Sequence, residues 1–331
     1  MHDRSYRPMT ARVMVTGASG FVGREVVAQL LRSGREVTAA LRGPAPDGAC
    51  ATTALRTVQV ADLASATDWR AALAGVDVIV HCAARVHVMR ETAADPMAAF
   101  RQVNVDGTLQ LAKQAVAAGV RRFVFISSIG VNGAETFGTP FKPDDLAAAH
   151  SAYARSKHEA ELGLLALAGN SPLEVVIIRP PLVFGPGAPG NFERLMRALQ
   201  RGFPLPFGAV HNRRSLVALR NLVSLIEVCL DHPAAANQVF LVSDGDDIST
   251  TELLRRVATA LGTRPRLLRV PAGVLKTVAG LIGRAPLAQQ LCGSLQVDIS
   301  KTRTVLGWAP VIRLDKALDE TAREFLARAG A

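Results

Sequence analysis

The first half of the chain alternates short, uninterrupted apolar runs with longer stretches of helical period. RVMVT (12–16) predicts a strand and is followed by a helix over about 20–33. EVTAAL (36–41), RTVQV (56–60), VDVIVH (76–81), RRFVFIS (121–127) and LEVVIIR (173–179) predict further strands. Helices are expected between them over about 97–118 and 151–168. Val- and Ile-rich runs lacking polar alternation need cover on both faces. The fold class that results is α/β, a doubly wound parallel sheet.

Beyond Pro180–Pro181 the pattern changes. GPGAPG (185–190) predicts a turn-rich loop, and the rest reads as mostly helical with an isolated strand at QVFLVS (238–243). The expected organisation is a disordered leader over 1–11, a sheet domain over 12–179, and a smaller, mostly helical substrate-binding region over 180–331. The boundary between the last two is soft, with the chain crossing between them. VPAGVLKTVAGLIG (270–283) is the most apolar helical stretch, but it is too short to span a bilayer and Lys276 interrupts it. It reads as a surface or buried helix, with weak membrane contact as a minor alternative.

Composition narrows the class. The 331 residues are 49% hydrophobic, enough for a substantial core. The net charge is +10. It is spread over pairs such as Arg121–Arg122 and Arg213–Arg214, without a basic run or interleaved aromatics, which argues against nucleic acid. A cationic surface also suits an anionic small substrate. Cys50, Cys82, Cys229 and Cys292 have no metal-ligand spacing, so no metal is expected, and they read as reduced thiols of a cytoplasmic protein.

TGASGFVG (16–23) follows the first strand and opens the first helix. Gly17, Gly20 and Gly23 allow a pyrophosphate to approach the backbone, and the helix start at Phe21 and Val22 offers N–H donors to it. In that strand–turn–helix context the motif predicts a Rossmann-like dinucleotide site. The second strand ends AALRG (39–43) without the acid that would bind the ribose 2′-hydroxyl of NAD. Arg42 offers instead a fork of donors suited to a 2′-phosphate, so NADP(H) is expected over NAD(H); a surface arginine is the alternative.

Only two tyrosines occur, Tyr6 and Tyr153. Tyr153 and Lys157 stand at i and i+4, on one helical face. A tyrosine of ordinary pKa, about 10, transfers protons poorly at neutral pH, and a nearby ammonium is expected to lower that value. Ser128 ends the FISS strand, where an α/β sheet presents its ligand crevice.

Together with Asp62–Leu63, HCAA (81–84), VNVDGT (103–108), FISSIGVNG (125–133), YARSK (153–157) and RPPLVFGPG (179–187), these motifs resemble the extended short-chain dehydrogenase/reductase family. The likeness extends over about 12–320 and is strongest to nucleotide-sugar epimerases, dehydratases and ketoreductases. It implies Tyr153 as acid/base, Lys157 also holding the nicotinamide ribose, Ser128 orienting a substrate oxygen, and Asn104 supporting the proton relay. It further implies Asp62 at the adenine amine, with Leu63, Ala83 and Pro180 lining the cofactor. Arg214 would grip a sugar-nucleotide diphosphate and Asp298 a nucleotide ribose. Arg85, His87 and Asn191 would be further substrate contacts. A homodimer through the 97–118 and Tyr153 helices is the family's common assembly.

Departures from the family pattern bear on the reaction. Asn132 replaces the tyrosine of VYG, Ser215 an acid, and Leu182 an asparagine of UDP-glucose epimerases and dTDP-glucose dehydratases. Ile129–Gly130 stand where 4,6-dehydratases carry an acidic pair, which disfavours dehydration. The first expectation is an NADP(H)-dependent 4-ketoreductase of a UDP-linked 4-keto-(6-deoxy) hexose, serving surface-polysaccharide synthesis. The second is a UDP-hexose 4-epimerase with tightly bound NAD. A non-catalytic dinucleotide sensor is the alternative of another class.

Overall fold

The computed structural model describes residues 11–43, 54–60, 62–86 and 95–329. Residues 1–10 of the expected leader, Cys50 and His87 lie outside them. The elements are β1 (Val13–Thr16), α1 (Phe21–Arg32), β2 (Val37–Leu41), β3 (Leu55–Gln59), α2 (Arg70–Leu73), β4 (Val78–His81) and α3 (Pro96–Arg101). After a π-helical turn, Gln102–Gly107, come α4 (Thr108–Ala117), β5 (Arg122–Ile126), α5 (Ala152–Gly169), β6 (Glu174–Arg179), β7 (Leu182–Phe184) and α6 (Asn191–Gln200). The chain ends with β8 (Leu216–Ala218), α7 (Leu219–Asp231), β9 (Gln238–Leu241), α8 (Thr250–Ala260), α9 (Ala272–Leu281), α10 (Ala285–Cys292), α11 (Ser300–Leu306) and α12 (Leu314–Ala329).

Seven strands form one sheet in the order β3-β2-β1-β4-β5-β6-β9. The pairs β1–β2, β1–β4, β2–β3 and β4–β5 are parallel. β1, β2, β4 and β5 are buried at every position, as their unbroken apolar runs require. β3 is an edge strand, and its RTVQ residues are only half buried or exposed. From β1 the chain steps outward to β2 and β3, then returns to β4 on the other side of β1. The loops after β1 and β4 therefore diverge at the sheet's carboxyl end, where this topology places ligands.

Two of the sequence expectations change. QVFLVS does not stand alone: β9 adds to the sheet beside β6. The helix over 97–118 is two α-helices separated by the π turn at Gln102–Gly107. Val-Asn-Val-Asp is not a recognisable π sequence; the extra residue turns Asn104 inward, where it is 1% exposed. A second, two-stranded parallel sheet, β7–β8, was not anticipated because each strand has only three residues.

Contacts divide the chain into two compact units that interleave in sequence. One comprises the chain to Ile126, Arg155–Ile177 and Cys229–Gln238; the other comprises Ser127–Ala154, Ile178–Val228 and Val239–Ala331. In the first unit Arg122 of β5 is 1% exposed. It donates to Glu174 at 2.7 Å and to the carbonyls of Cys229 and His232 at 2.8 and 3.0 Å, tying β5 to the segment after α7. In the second unit Asn221 plays the corresponding part. It donates to Asp244 and the Ile312 carbonyl, and accepts from the N–H groups of Val311 and Ile312.

Candidate active site

Sterics dictate the glycine loop. Gly17 has φ +64°, and a Cβ there would lie 2.8 Å from the nitrogen of Ala83. A Cβ on Gly23 would lie 2.2 Å from the Gly17 carbonyl oxygen, and one on Gly20 3.1 Å from the same atom. The loop is thus folded onto the start of α1 and against the strand-end of β4. Gly20 caps α1 without any side-chain acceptor, and the first turn holds no acid. Its leading N–H groups are left to an anion. This cradle fits a dinucleotide pyrophosphate. Ala83 packs against Gly17, and Phe21 and Val22 are half buried at the helix start.

Behind the loop lies a buried residue to which the sequence reading gave no role. His81, fully buried at the end of β4, bridges Thr16 Oγ1 at 2.7 Å and Thr108 Oγ1 at 3.0 Å. Thr16 Oγ1 also accepts from the Ala83 N–H at 3.3 Å. Burial, aided by the charge of Lys157, lowers the His81 pKa to about 3, so the ring is a neutral brace. Its signal was the H of HCAA, invisible as a brace until Thr16 and Thr108 are brought to either side.

At the adenosine end, Arg42 and Asp62 sit beyond β2 and β3 and form an ion pair of 3.7 Å. Both side chains are more than four-fifths exposed. Leu63, 8% exposed, packs where a Cβ on Gly107 would be 2.7 Å from its Cγ, which explains why the π turn ends in glycine.

Lys157 of α5 is 2% exposed, and its Nζ lies 4.2 Å from the centroid of the Phe125 ring. Burial lowers its pKa to about 8, opposed by the charge of Glu161. Asn104 takes up both ends of one residue. Its Oδ1 accepts from the Arg85 N–H at 2.8 Å, and its Nδ2 donates to the Arg85 carbonyl and to Ser156 Oγ, each at 3.0 Å. That pins the loop after β4 to the residue preceding Lys157. The Arg85 guanidinium lies 5.6 Å from the Phe100 centroid.

In the second unit, Ser128 caps a 3₁₀ turn, Ile129–Val131, its Oγ accepting from the Gly130 N–H at 3.1 Å. A Cβ on Gly130 would be 3.3 Å from both Ser128 Oγ and Ala154 Cβ, so Ser128 lies beside the first turn of α5, which carries Tyr153. Ser151 caps that turn through the Ala154 N–H at 3.1 Å. The Pro180 carbonyl accepts from the Ile129 N–H at 3.0 Å and holds the same turn. Asn132 accepts from Arg179 at 3.0 Å and donates to the Lys142 carbonyl at 2.7 Å, a bracing role.

Tyr153 differs from the expectation. Burial raises its pKa to about 12. The anticipated lowering by Lys157 is therefore not a property of the protein alone. Tyr153 and Lys157 do share one face of α5, a single turn apart.

Arg214 donates from Nη1 to the Gly293 carbonyl at 3.1 Å, and burial lowers its pKa against the opposing charge of Glu135. Ser215, standing where an acid was expected, donates to Asp247 at 2.5 Å, so the carboxylate comes from 32 residues further on. Asp247 also accepts from Gln296 at 2.7 Å, and the Val297 N–H donates to Ser215 Oγ at 3.0 Å. Asp247 and Asp298 both line a cleft of about 230 Å³ with Ser300 and Arg303. Hydrogen bonds from Ser300 hold the Asp298 carboxyl below the usual range. Asn191 is exposed at the start of α6, with no contact that ties it to these groups. No cluster of metal-ligating side chains occurs among the described residues.

Comparison with known proteins agrees with this geometry. A model of the NAD dependent epimerase/dehydratase family matches residues 13–243. The chain is 47% identical to a UDP-glucose 4-epimerase of Vibrio cholerae over 97% of each chain. It is 26% identical to the N-acetyl-alpha-D-glucosaminyl-diphospho-ditrans,octacis-undecaprenol 4-epimerase of Escherichia coli O157:H7, over 80% of this chain and 82% of that one. The solved structure of MoeE5 in complex with UDP-glucose and NAD is similar with a TM-score of 0.77 and 27% identity, covering 97% of this chain and all of the other. With its nucleotide cradle, its Tyr–Lys helix and this similarity along the whole chain, the protein belongs to the NAD dependent epimerase/dehydratase family, enzymes of the extended short-chain dehydrogenase/reductase type.

Proposed function

We propose that the protein is a UDP-hexose 4-epimerase, of the glucose or N-acetylglucosamine type, that retains NAD. The observation that carries this reading is the 47% identity over nearly the full length to a UDP-glucose 4-epimerase, with Tyr153 and Lys157 on one helical face. It reverses the order expected from the sequence, which put the ketoreductase first. Bound NAD would supply the hydride acceptor and donor at the sugar's C4.

The chain's own residues manage the proton and the substrate. Tyr153 moves the proton at O4, with Ser128 holding that oxygen. With its pKa raised to about 12, Tyr153 is protonated at neutral pH, the form that donates. To act as base it needs positive charge close by, from Lys157 and from the oxidised nicotinamide. Asn104 acts on this chemistry by fixing the Arg85 loop. Arg214 takes the diphosphate and Asp298 the nucleotide ribose.

Arg42 bears on the choice of cofactor. Its partner Asp62 would repel a 2′-phosphate at the point where the arginine would bind one, which favours NAD. The 4-ketoreductase with NADPH is the second reading, favoured by the absence of an acid at the end of β2 and by the exposed Leu182. No described helix is long and apolar enough to cross a membrane. The reading further assigns the protein to the cytoplasm and to a homodimer through α4 and α5, where Leu162 is an exposed apolar position. Light scattering of the purified protein checks the dimer.

The test is the nucleotide released on denaturing the purified protein, followed by titration of stripped protein. Stoichiometric NAD is expected. An empty protein that prefers NADPH would reverse the assignment in favour of the reductase.

A further inference from the structure

Helix α9 is inside out. Its half-buried positions, Ala272, Leu275 and Ala279, are small or set back, while Val274, Val278 and Leu281 form the outward stripe at 51%, 51% and 82% exposure. An ordinary surface helix turns such a stripe toward the core. The stripe continues over the tip, where Gly283 at φ +69° ends the helix and leaves Ile282 64% exposed, and onto Leu287 of α10. Hydrogen bonds from the Gly283 and Arg284 N–H groups to the carbonyls of Gly280 and Ala279 hold the tip in shape. Contiguous apolar surface of this kind marks an interaction site.

The charge around it identifies the partner. Between Glu252 and Asp298 the chain has no acidic residue. Arg264, Arg266, Arg269, Lys276 and Arg284 lie along this segment and are exposed. Only Lys276 has an acid beside it, Glu135 at 3.4 Å, among the described residues. An exposed apolar stripe on a segment that carries five exposed cations and no acid of its own complements the surface of an anionic bilayer, with aliphatic side chains entering the acyl boundary and arginines meeting headgroup phosphates.

We propose that the α9–α10 hairpin docks the protein on the surface of membranes rich in anionic lipid. The hairpin leads directly to the Gly293 carbonyl that Arg214 engages, and Asn212 and Thr250 fix the Leu291 carbonyl just before it. Docking therefore holds the Arg214 segment at the bilayer without requiring any change at the site. The proposal is independent of the reaction assigned above, because vesicle binding is read without turnover.

The experiment is sedimentation of the full-length protein with vesicles of phosphatidylcholine alone and of phosphatidylcholine with phosphatidylglycerol. Partition onto the anionic vesicles is expected, strongly reduced by salt and weak on the neutral ones, with about a fivefold loss per basic residue neutralised in Arg264→Gln and Arg269→Gln. The double variant Leu281→Asp, Ile282→Asp should lose binding while remaining folded and active, since both residues are exposed and distant in sequence from every proposed catalytic group. No partition, equal partition on both vesicles, or binding unchanged by the double variant would overturn the proposal. A wild-type dimer that this variant converts to a monomer would also overturn it, by assigning the hairpin to a second copy of the chain.

Discussion

The glycine cradle of the first unit and the Arg214–Asp247 network of the second, to which the proposed function gives the substrate, are built by different means. The cradle is local: Gly17, Gly20 and Gly23 meet one another within a single turn, and the clashes their Cβ atoms would make define the loop. The network is assembled from far apart. Ser215 reaches Asp247, Asp247 reaches Gln296, and Arg214 reaches Gly293. A local cradle tolerates no substitution but can be recognised at once. A dispersed network can exchange one member for another, as when Asp247 supplies the carboxylate missing at Ser215.

Tyr153 and Lys157 sharpen that comparison most, because α5 carries them across the division, Tyr153 in the second unit and Lys157 in the first. Tyr153→Phe should lower turnover by about 10²–10⁴-fold while leaving nucleotide binding intact. Steady-state assays paired with nucleotide titration check both halves. Gly23→Ala should do the reverse and abolish nucleotide retention, since its Cβ would overlap a backbone oxygen at 2.2 Å that has no room to move. Its melting temperature should also fall, by an amount that added nucleotide does not restore.

These outcomes bear on what could be read from sequence. The inner strands of the sheet were legible because they are nearly continuous apolar runs, and the cradle because its glycines recur every third residue between a strand and a helix. The π turn was not, because it depends on Asn104 reaching Arg85 and Ser156 rather than on local propensity. Nor was β9 legible as a sheet member, since pairing with β6 is a property of the fold. The pKa of Tyr153 differs for a related reason: i, i+4 spacing reports which face a side chain shares, whereas burial of the phenol raises its pKa.

Smaller effects probe the dispersed network. Arg214→Ala should raise the KM for a UDP-sugar about tenfold or more with little change in nucleotide binding, as loss of a charged diphosphate contact requires. Asp247→Asn should produce a weaker form of the same defect, because the amide keeps one of the two oxygens that accept from Ser215 and Gln296. Asp244 gives the least. Burial raises its pKa to about 6 from 3.8, so the folded state binds a proton that the unfolded state releases between those values. Stability contributed at low pH is therefore lost as pH rises through that window. Asp244→Asn should flatten the dependence and gain about 1 kcal/mol at neutral pH, read by chemical denaturation at several pH values.

The central claim is that Tyr153 and its neighbours serve a closed cycle at C4, needing no second substrate. The direct measurement is nuclear magnetic resonance of UDP-glucose incubated with the purified protein and no added nucleotide. The account predicts conversion to the C4 epimer, UDP-galactose, up to a constant ratio. No conversion of UDP-glucose or UDP-N-acetylglucosamine, together with NADPH-dependent reduction of a UDP-4-keto sugar, would contradict it.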